Sequence, residues 1–249
     1  MNIIKKISSY LSYKKQCRQF KDQFDQFESK SLLSTLRFPM NLEDRLSCLC
    51  DNTSDTSFDR HYIYHTAWAA RVLSKTKPEL HIDVSSSLYF VVIVSAFIPV
   101  KHYDFRLPKI RASNLQVASA DLTCLHFSDK SISSLSCMHV VEHIGLGRYG
   151  DPLDPWGDLK AISELKRVLA AGGDLLFVVP LGKPKIMFNA HRIYSYAQII
   201  DYFSEYELIE FALIPDDPKD GGLINNASKD MADQQTYGCG CFWFKKNKR

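Results

Sequence analysis

The 249-residue chain has no long apolar run, no strong charge of either sign and no glycine-rich phosphate loop. Its longest apolar stretch, Leu88 to Val100, contains Ser95 and falls short of the ~20 residues that cross a bilayer. A net charge of +3 is too weak to imply nucleic acid as a partner. Met1–Tyr13 lacks the apolar region and small-residue cleavage site of a signal peptide, so the expected address is the cytoplasm. The seven cysteines are odd in number and scattered, and reduced thiols are expected. Cys48/Cys50 and Cys239/Cys241 are C-x-C pairs, whereas zinc sites usually space their thiolates as C-x-x-C. Buried small apolar residues are the preferred reading over a four-thiolate site. The zincin order H-E-x-x-H is absent. His139 and His143 would supply only two ligands, so no metal is expected.

The composition, 45% hydrophobic and 24% charged, is that of a soluble globular protein large enough to need no disulfides. Residues 1–30 read as one long helix. Ile3, Ile4, Ile7, Tyr10 and Leu11 form an apolar stripe that Phe20, Phe24 and Phe27 continue, and Lys5, Lys6, Lys14, Lys15 and Arg18 make the first half basic. Packing on the core or on a second subunit is preferred to a peripheral membrane contact, so a homodimer is a possible state. Pro39 and the polar stretch 51–57 read as loop, and Asp59 to Ser74 as a second helix. The expected division is a helical extension, 1–58, and an α/β domain, 59–249.

From Leu80 onward strands and helices alternate. Leu80–Val84, Pro99–Asp104, Leu115–Ala120, Ser134–Val140, Asp174–Val179, Leu208–Ile214 and Tyr237–Phe244 read as strands. Leu88–Phe97 (with a strand as the alternative), Asp158–Leu169 and Tyr194–Phe203 read as helices. Gly172-Gly173 is expected to cap the helix at 158–169. This predicts an α/β fold: a Rossmann-like, seven-stranded, mostly parallel sheet with helices on both faces and a helical N-terminal extension. Ligands of such sheets bind at the carboxyl ends of the strands.

Chemistry is therefore sought at those ends. Ser85-Ser86-Ser87 follow the first strand, either as a ligand-binding turn or as a plain helix cap. Asp104 ends the second strand, where a carboxylate can accept ribose hydroxyls or pair with Arg106. Asp121-Leu122 follow the third, to meet an adenine or to cap a local turn. His139, Glu142 and His143 follow the fourth, and His143 can serve as a general base. A loop rich in glycine, 145–157, carries Arg148 as an anion contact and Trp156 as either a lid or plain packing. His191 and Arg192 are expected to enter the next helix, and Lys183, Arg192 and Arg148 to form a basic mouth or to stand as scattered solvated cations.

These residues resemble the pattern of class I S-adenosylmethionine (SAM) dependent methyltransferases, over Leu80–Pro215. Ile82-Asp83-Val84 is like the end of their first strand. Val140-Val141-Glu142-His143 is similar to their post-strand-four segment, and Glu164–Gly173 to their E-x-x-R-V-L-x-P-G-G helix and turn. Ser85, Ser87 and Tyr89 stand at the family's glycine positions, and Tyr89 there is expected to crowd the helix start. The resemblance implies SAM as cofactor, held by Asp83, Ser85, Ser87, Asp104, Asp121, Leu122 and His139. It implies His143 or His191 as base and Arg148 and Arg192 as contacts to a small-molecule or sugar acceptor. Leu88-Tyr89-Phe90, the 145–157 loop, Phe188-Asn189-Ala190-His191-Arg192 and Gly238-Cys239-Gly240-Cys241-Phe242 resemble most a bacterial group of uncharacterised methyltransferase-like proteins, and that resemblance implies a place in surface-polysaccharide pathways. The alternative is a catalytically inactive relative acting as a partner-binding subunit.

Overall fold

The computed structural model describes residues 3–31, 38 and 40–248. Pro39 and the side chains of Ile3, Ile4 and Lys5 lie outside what is described. The chain divides into two compact units, Met1–Ser57 and Phe58–Arg249. The first unit is built on helix α1, Ile3–Ser31. Phe20 and Phe24 line a hollow of about 630 Å³ with Leu42 and Leu49. The expected stripe is thus divided: Ile7, Tyr10 and Leu11 are exposed. Among the described residues no helix is long and apolar enough to cross a membrane.

The second unit runs α2 (Arg60–Thr76), β1 (His81–Val84), α3 (Leu88–Val94), β2 (Val100–Asp104), β3 (Leu115–Ser119), β4 (Ile132–Met138), α4 (Gly157–Val168), β5 (Leu169–Leu181), β6 (Lys185–Met187), β7 (His191–Ile193), α5 (Tyr196–Tyr202), β8 (Tyr206–Ile214), β9 (Ile224–Asn225), α6 (Lys229–Asp233) and β10 (Gly238–Lys246). The main sheet has eight strands rather than seven, in the order β3-β2-β1-β4-β5-β10-β8-β9. The eighth is the short β9, paired antiparallel to β8. Strands β1 to β5 pair parallel. β10 runs antiparallel between β5 and β8.

Alternation along the central strands feeds two cores. Phe177, Val179, Phe242 and Phe244 pack with Ile162, Leu165 and Ile199 on one face. Leu176, Val178, Cys239 and Cys241 pack with Trp68, Val72 and Phe90 on the other. α2 is fixed to the second face by Trp68 Nε1, which donates to Glu210 Oε1 at 2.7 Å.

The Glu164–Gly173 segment proves structural, and one expectation about it fails. α4 ends at Val168, and Leu169 is already extended (φ −69°, ψ 128°). The glycines lie inside β5 rather than capping the helix, with Gly172 at φ +73°. The carbonyls of Lys166 and Leu169 instead accept from Lys246 Nζ at 2.6 and 2.8 Å. Arg167 forks onto Glu164, with Nε to Oε1 at 2.7 Å and Nη2 to Oε2 at 2.8 Å. Its Nη2 and Nη1 also hold the carbonyls of Leu125 and Phe127, each at 2.8 Å, and Nη1 pairs with Asp129 Oδ1 at 2.6 Å. This bidentate fork pins the approach to β4.

Candidate functional site

Two cavities open at the carboxyl ends of the parallel strands. The smaller, about 260 Å³, is lined by Ser85, Phe105, Asp121, Leu122, Ile144 and Tyr149 among others. Ser85 takes a left-handed conformation, φ +57°, and its amide donates to Tyr103 O at 2.7 Å. The turn therefore has the backbone that glycine gives at low cost, at about 1–2 kcal/mol for a serine. Ser87 occupies the N-cap of α3 without a side-chain cap bond, so it is no plain helix cap. Tyr89 does not crowd the helix: it is 83% exposed.

Asp104 Oδ1 accepts the Arg106 amide at 2.8 Å, so its link to Arg106 is through the backbone. The Arg106 guanidinium instead lies over the Tyr149 ring, 4.4 Å from its centre. Asp121 Oδ1 accepts from the amide and hydroxyl of Thr123 at 2.8 and 2.7 Å. Asp83 does not face either cavity. It is fully buried, bonded to His102 Nδ1 at 2.7 Å, to the Ser86 amide at 3.1 Å and to the Ser136 hydroxyl. Burial raises its carboxyl, but the bond and charge of His102, with the two serines, bring it below the usual carboxylate range. It acts on the site through the turn it holds, not by contact with a cofactor.

The larger cavity, about 550 Å³, is lined by His61, Tyr62, His139, Glu142, His143, Arg148, Tyr149, His191 and Tyr237 among others. Tyr149 forms part of both walls. The expected strand end at Val140 is wrong: β4 stops at Met138, and His139 turns the chain with φ +57°. Its Nδ1 bonds Glu142 Oε1 at 2.8 Å, and its Nε2 lies 3.3 Å from Cys239 Sγ. The His61 ring stacks on it at 5.4 Å, and His65 meets it edge-on at 5.1 Å. The ligand atoms of His61, His139 and Cys239 lie within 4.8 Å of one another. Burial lowers both His61 and His139 to about 4, which keeps the rings neutral at pH 7. Burial raises Glu142 to about 7, against the opposing charge of His143.

His143 Nδ1 lies 2.6 Å from Ala190 O, so that nitrogen carries the proton and Nε2 keeps a lone pair. Nε2 stands 3.8 Å from Glu142 Oε1. Burial lowers the His143 pKa from its ordinary value. His191 stacks on Tyr237 at 5.0 Å, and its buried Nε2 has no hydrogen-bond partner. Burial lowers its pKa as well.

Arg148 is exposed, lines this cavity and donates to Ala190 O at 3.1 Å. Arg192 does not face it. It is buried, donates to Ile144 O at 2.6 Å and Pro155 O at 3.3 Å, and pairs with Asp158 at 3.5 Å. It pins the 145–157 loop from beneath and leaves no guanidinium edge for a substrate, so the expected basic mouth does not form. His191 and Arg192 also lie on β7, not at a helix start. Trp156 is 67% exposed, just ahead of α4.

The sequence reading missed His61, His65, Tyr237 and Cys239. Two histidines four apart on one helix face were the available signal for the first pair. Cys239 stood out only as half of a C-x-C pair, and nothing local ties it to His139, 100 residues away in the chain.

The fold is that of class I methyltransferases. YcgJ from Bacillus subtilis matches 75% of the chain over 100% of its own length, at 16% identity and a TM-score of 0.51. The 1,6-didemethyltoxoflavin-N1-methyltransferase of Burkholderia thailandensis, solved with its substrate and S-adenosylhomocysteine (SAH), covers 74% of the chain and 79% of itself, at 9% identity and a TM-score of 0.54. The N-methyltransferase NodS of Bradyrhizobium japonicum, in complex with SAH, covers 76% and 89%, at 14% identity and a TM-score of 0.51. No curated protein matches the chain in sequence. Residues 109–235, just over half of the chain, match the family described as "Caenorhabditis protein of unknown function, DUF268", and the chain belongs to that family.

Proposed function

We propose that the protein is a SAM-dependent methyltransferase acting on a small polar molecule such as a sugar. The reading rests on one observation: two cavities at the strand ends share a wall at Tyr149, and one of them contains a histidine with a free, oriented nitrogen. Two proteins of the same fold were solved with SAH, which supports the cofactor.

The residues of the smaller cavity suit SAM. Leu122 and Ile144 offer apolar surface to an adenine. Asp121 lines the cavity and Asp104 ends β2 just before the lining Phe105; each commits Oδ1 to a local turn, which leaves Oδ2 to accept from an amino group or ribose hydroxyls. The left-handed turn at Ser85 lets the backbone approach a ligand. When bound, SAM supplies a methyl group already activated on sulfonium.

The protein's own part is then to orient the acceptor and remove its proton. His143 Nε2 takes that proton, and the Ala190 carbonyl fixes the ring while Glu142 steadies its developing charge. Arg148 holds the acceptor at the rim, and His191 stands beside His143, ring centres 6.3 Å apart.

Calorimetry with SAM and SAH tests the cofactor, and absence of heat at millimolar ligand would sink the reading. His143→Ala should then leave SAH affinity within about twofold while lowering turnover by about 10²–10⁴. Binding without turnover on any acceptor would favour a partner-binding subunit.

A further inference from the structure

Three elements distant in the chain bring soft and borderline ligands to one point. His61 lies in the first turn of α2, His139 on the left-handed turn after β4, and Cys239 second in β10. Cys239 faces α2 because alternation along β10 sends Phe242 and Phe244 to the opposite core.

The spacing suits a single ion. Zinc bonds to imidazole nitrogen are ~2.0–2.1 Å and to thiolate ~2.3 Å, which puts tetrahedral ligand atoms roughly 3.3–3.6 Å apart. His139 Nε2 and Cys239 Sγ stand at 3.3 Å already. All three ligand atoms lie within 4.8 Å, so the remaining edges close by little more than about 1 Å.

The support around these residues is that of a ligand set. A metal-bound imidazole commonly gives its other nitrogen to a carboxylate or a carbonyl. His139 Nδ1 bonds Glu142 Oε1 at 2.8 Å, which directs Nε2 toward Cys239. The His61 ring lies against that of Tyr237, centres 5.1 Å apart. His65 packs alongside: it is fully buried, meets His139 edge-on at 5.1 Å and sets its Nδ1 2.6 Å from His61 O, while its Nε2 has no hydrogen bond among the described residues. A simple buried Cys–His hydrogen bond accounts for Cys239 and His139 but leaves the approach of His61 to both unexplained.

We propose that His61, His139 and Cys239 form a mononuclear site for a zinc-class divalent ion, with its open side on the 550 Å³ cavity that both histidines line. Two imidazoles and a thiolate select zinc, cobalt or copper over magnesium and calcium, which take oxygen ligands. Binding converts the Cys239 thiol to a thiolate and releases one proton to solvent. Three protein ligands leave a fourth position for water or for a hydroxyl or thiol. The site does not depend on methyl transfer, and it is tested without it.

The test uses the full chain with Cys48, Cys50 and Cys124 changed to Ser, because these exposed thiols would bind metal on their own. The chelator-treated protein is titrated with Co²⁺ and followed by absorption. The expected result is one equivalent giving tetrahedral d–d bands and a thiolate charge-transfer band, both abolished by Zn²⁺. Cys239→Ser should remove the charge-transfer band, and His61→Ala should weaken binding at least about 100-fold. Glu142→Gln should weaken it about 10–100-fold. Should Cys239→Ser fail to fold by circular dichroism, His61→Ala and Glu142→Gln decide. No stoichiometric Co²⁺ band, or a band that survives in folded Cys239→Ser or is indifferent to His61→Ala, overturns the site.

Discussion

Beneath β1 a chain of buried polar side chains runs Ser134–His81–Ser136–Asp83–His102. Ser136 gives its proton to Asp83, so it accepts from His81 Nε2–H, and His81 Nδ1 accepts from Ser134. Replacing Asp83 by Asn removes the charge that faces His102. Urea denaturation should show a loss of about 3–5 kcal/mol. A loss below about 1 kcal/mol would mean that the pair contributes little. His81 gives the network a pH dependence. Burial lowers its pKa to about 4, with the Asp83 charge opposing. The unfolded chain takes up a proton near pH 6.5 while the folded one does not. The His81 contribution is therefore full above pH 6.5 and falls as pH drops toward 4, a loss of about 3 kcal/mol, whereas His102, raised by the Asp83 carboxylate, contributes in the opposite direction as pH rises. His81→Gln should flatten part of that slope in denaturation curves taken at pH 7.5 and pH 5. An unchanged slope would assign the acid sensitivity to other groups.

Among the elements, the 145–157 loop matters most for the site, because it walls the smaller cavity. Asp151 Oδ2 accepts the Gly145 amide at 2.7 Å, and the Asp154 amide donates to Gly145 O at 2.9 Å. Gly145 has φ +82°, and a Cβ there would lie 2.0 Å from the Asp154 carbonyl oxygen. Gly145→Ala must displace the loop, so SAH affinity should drop at least about tenfold, a penalty comparable to the 1–2 kcal/mol strain of a left-handed alanine. Unchanged affinity by calorimetry would detach the loop from the ligand site. The same loop marks the limit of what could be read in advance. The parallel strands were legible because runs such as Leu175–Val179 are apolar on both faces, and α4 because Ile162, Leu165 and Val168 share one side. Arg192 was not legible: nothing local in Ala190-His191-Arg192 says that its guanidinium turns inward to the carbonyls of Ile144 and Pro155. Nor were the glycines at 172–173, which read as a helix stop but sit inside β5, because Lys246 from another strand takes over the capping.

At the scale of the molecule, ligand occupancy should appear as global stability of the unit that contains the cavities, Phe58–Arg249. A ligand that binds only the folded form stabilises it by about 2.7 kcal/mol at a hundred times its Kd, and SAH at that excess should raise the melting temperature by roughly 5–10 °C. Differential scanning fluorimetry reads this directly, and adenosine alone should give a smaller rise. No shift with SAH at any concentration up to millimolar would remove the cofactor reading from the whole molecule, not from one residue.

β10 lies between β5 and β8 in the sheet, yet it follows both in the chain. A ribosome therefore delivers two unsatisfied strand edges well before the piece that joins them. Phe177 and Phe211, deep in the finished core, wait in the open during that interval. Tyr237 and Cys239 arrive with the joining piece, so the cavity gains its last wall in the same event that seals the sheet. Until Gly238–Lys246 emerges, the nascent chain exposes the strand edges and apolar side chains that favour aggregation, and the larger cavity stays incomplete.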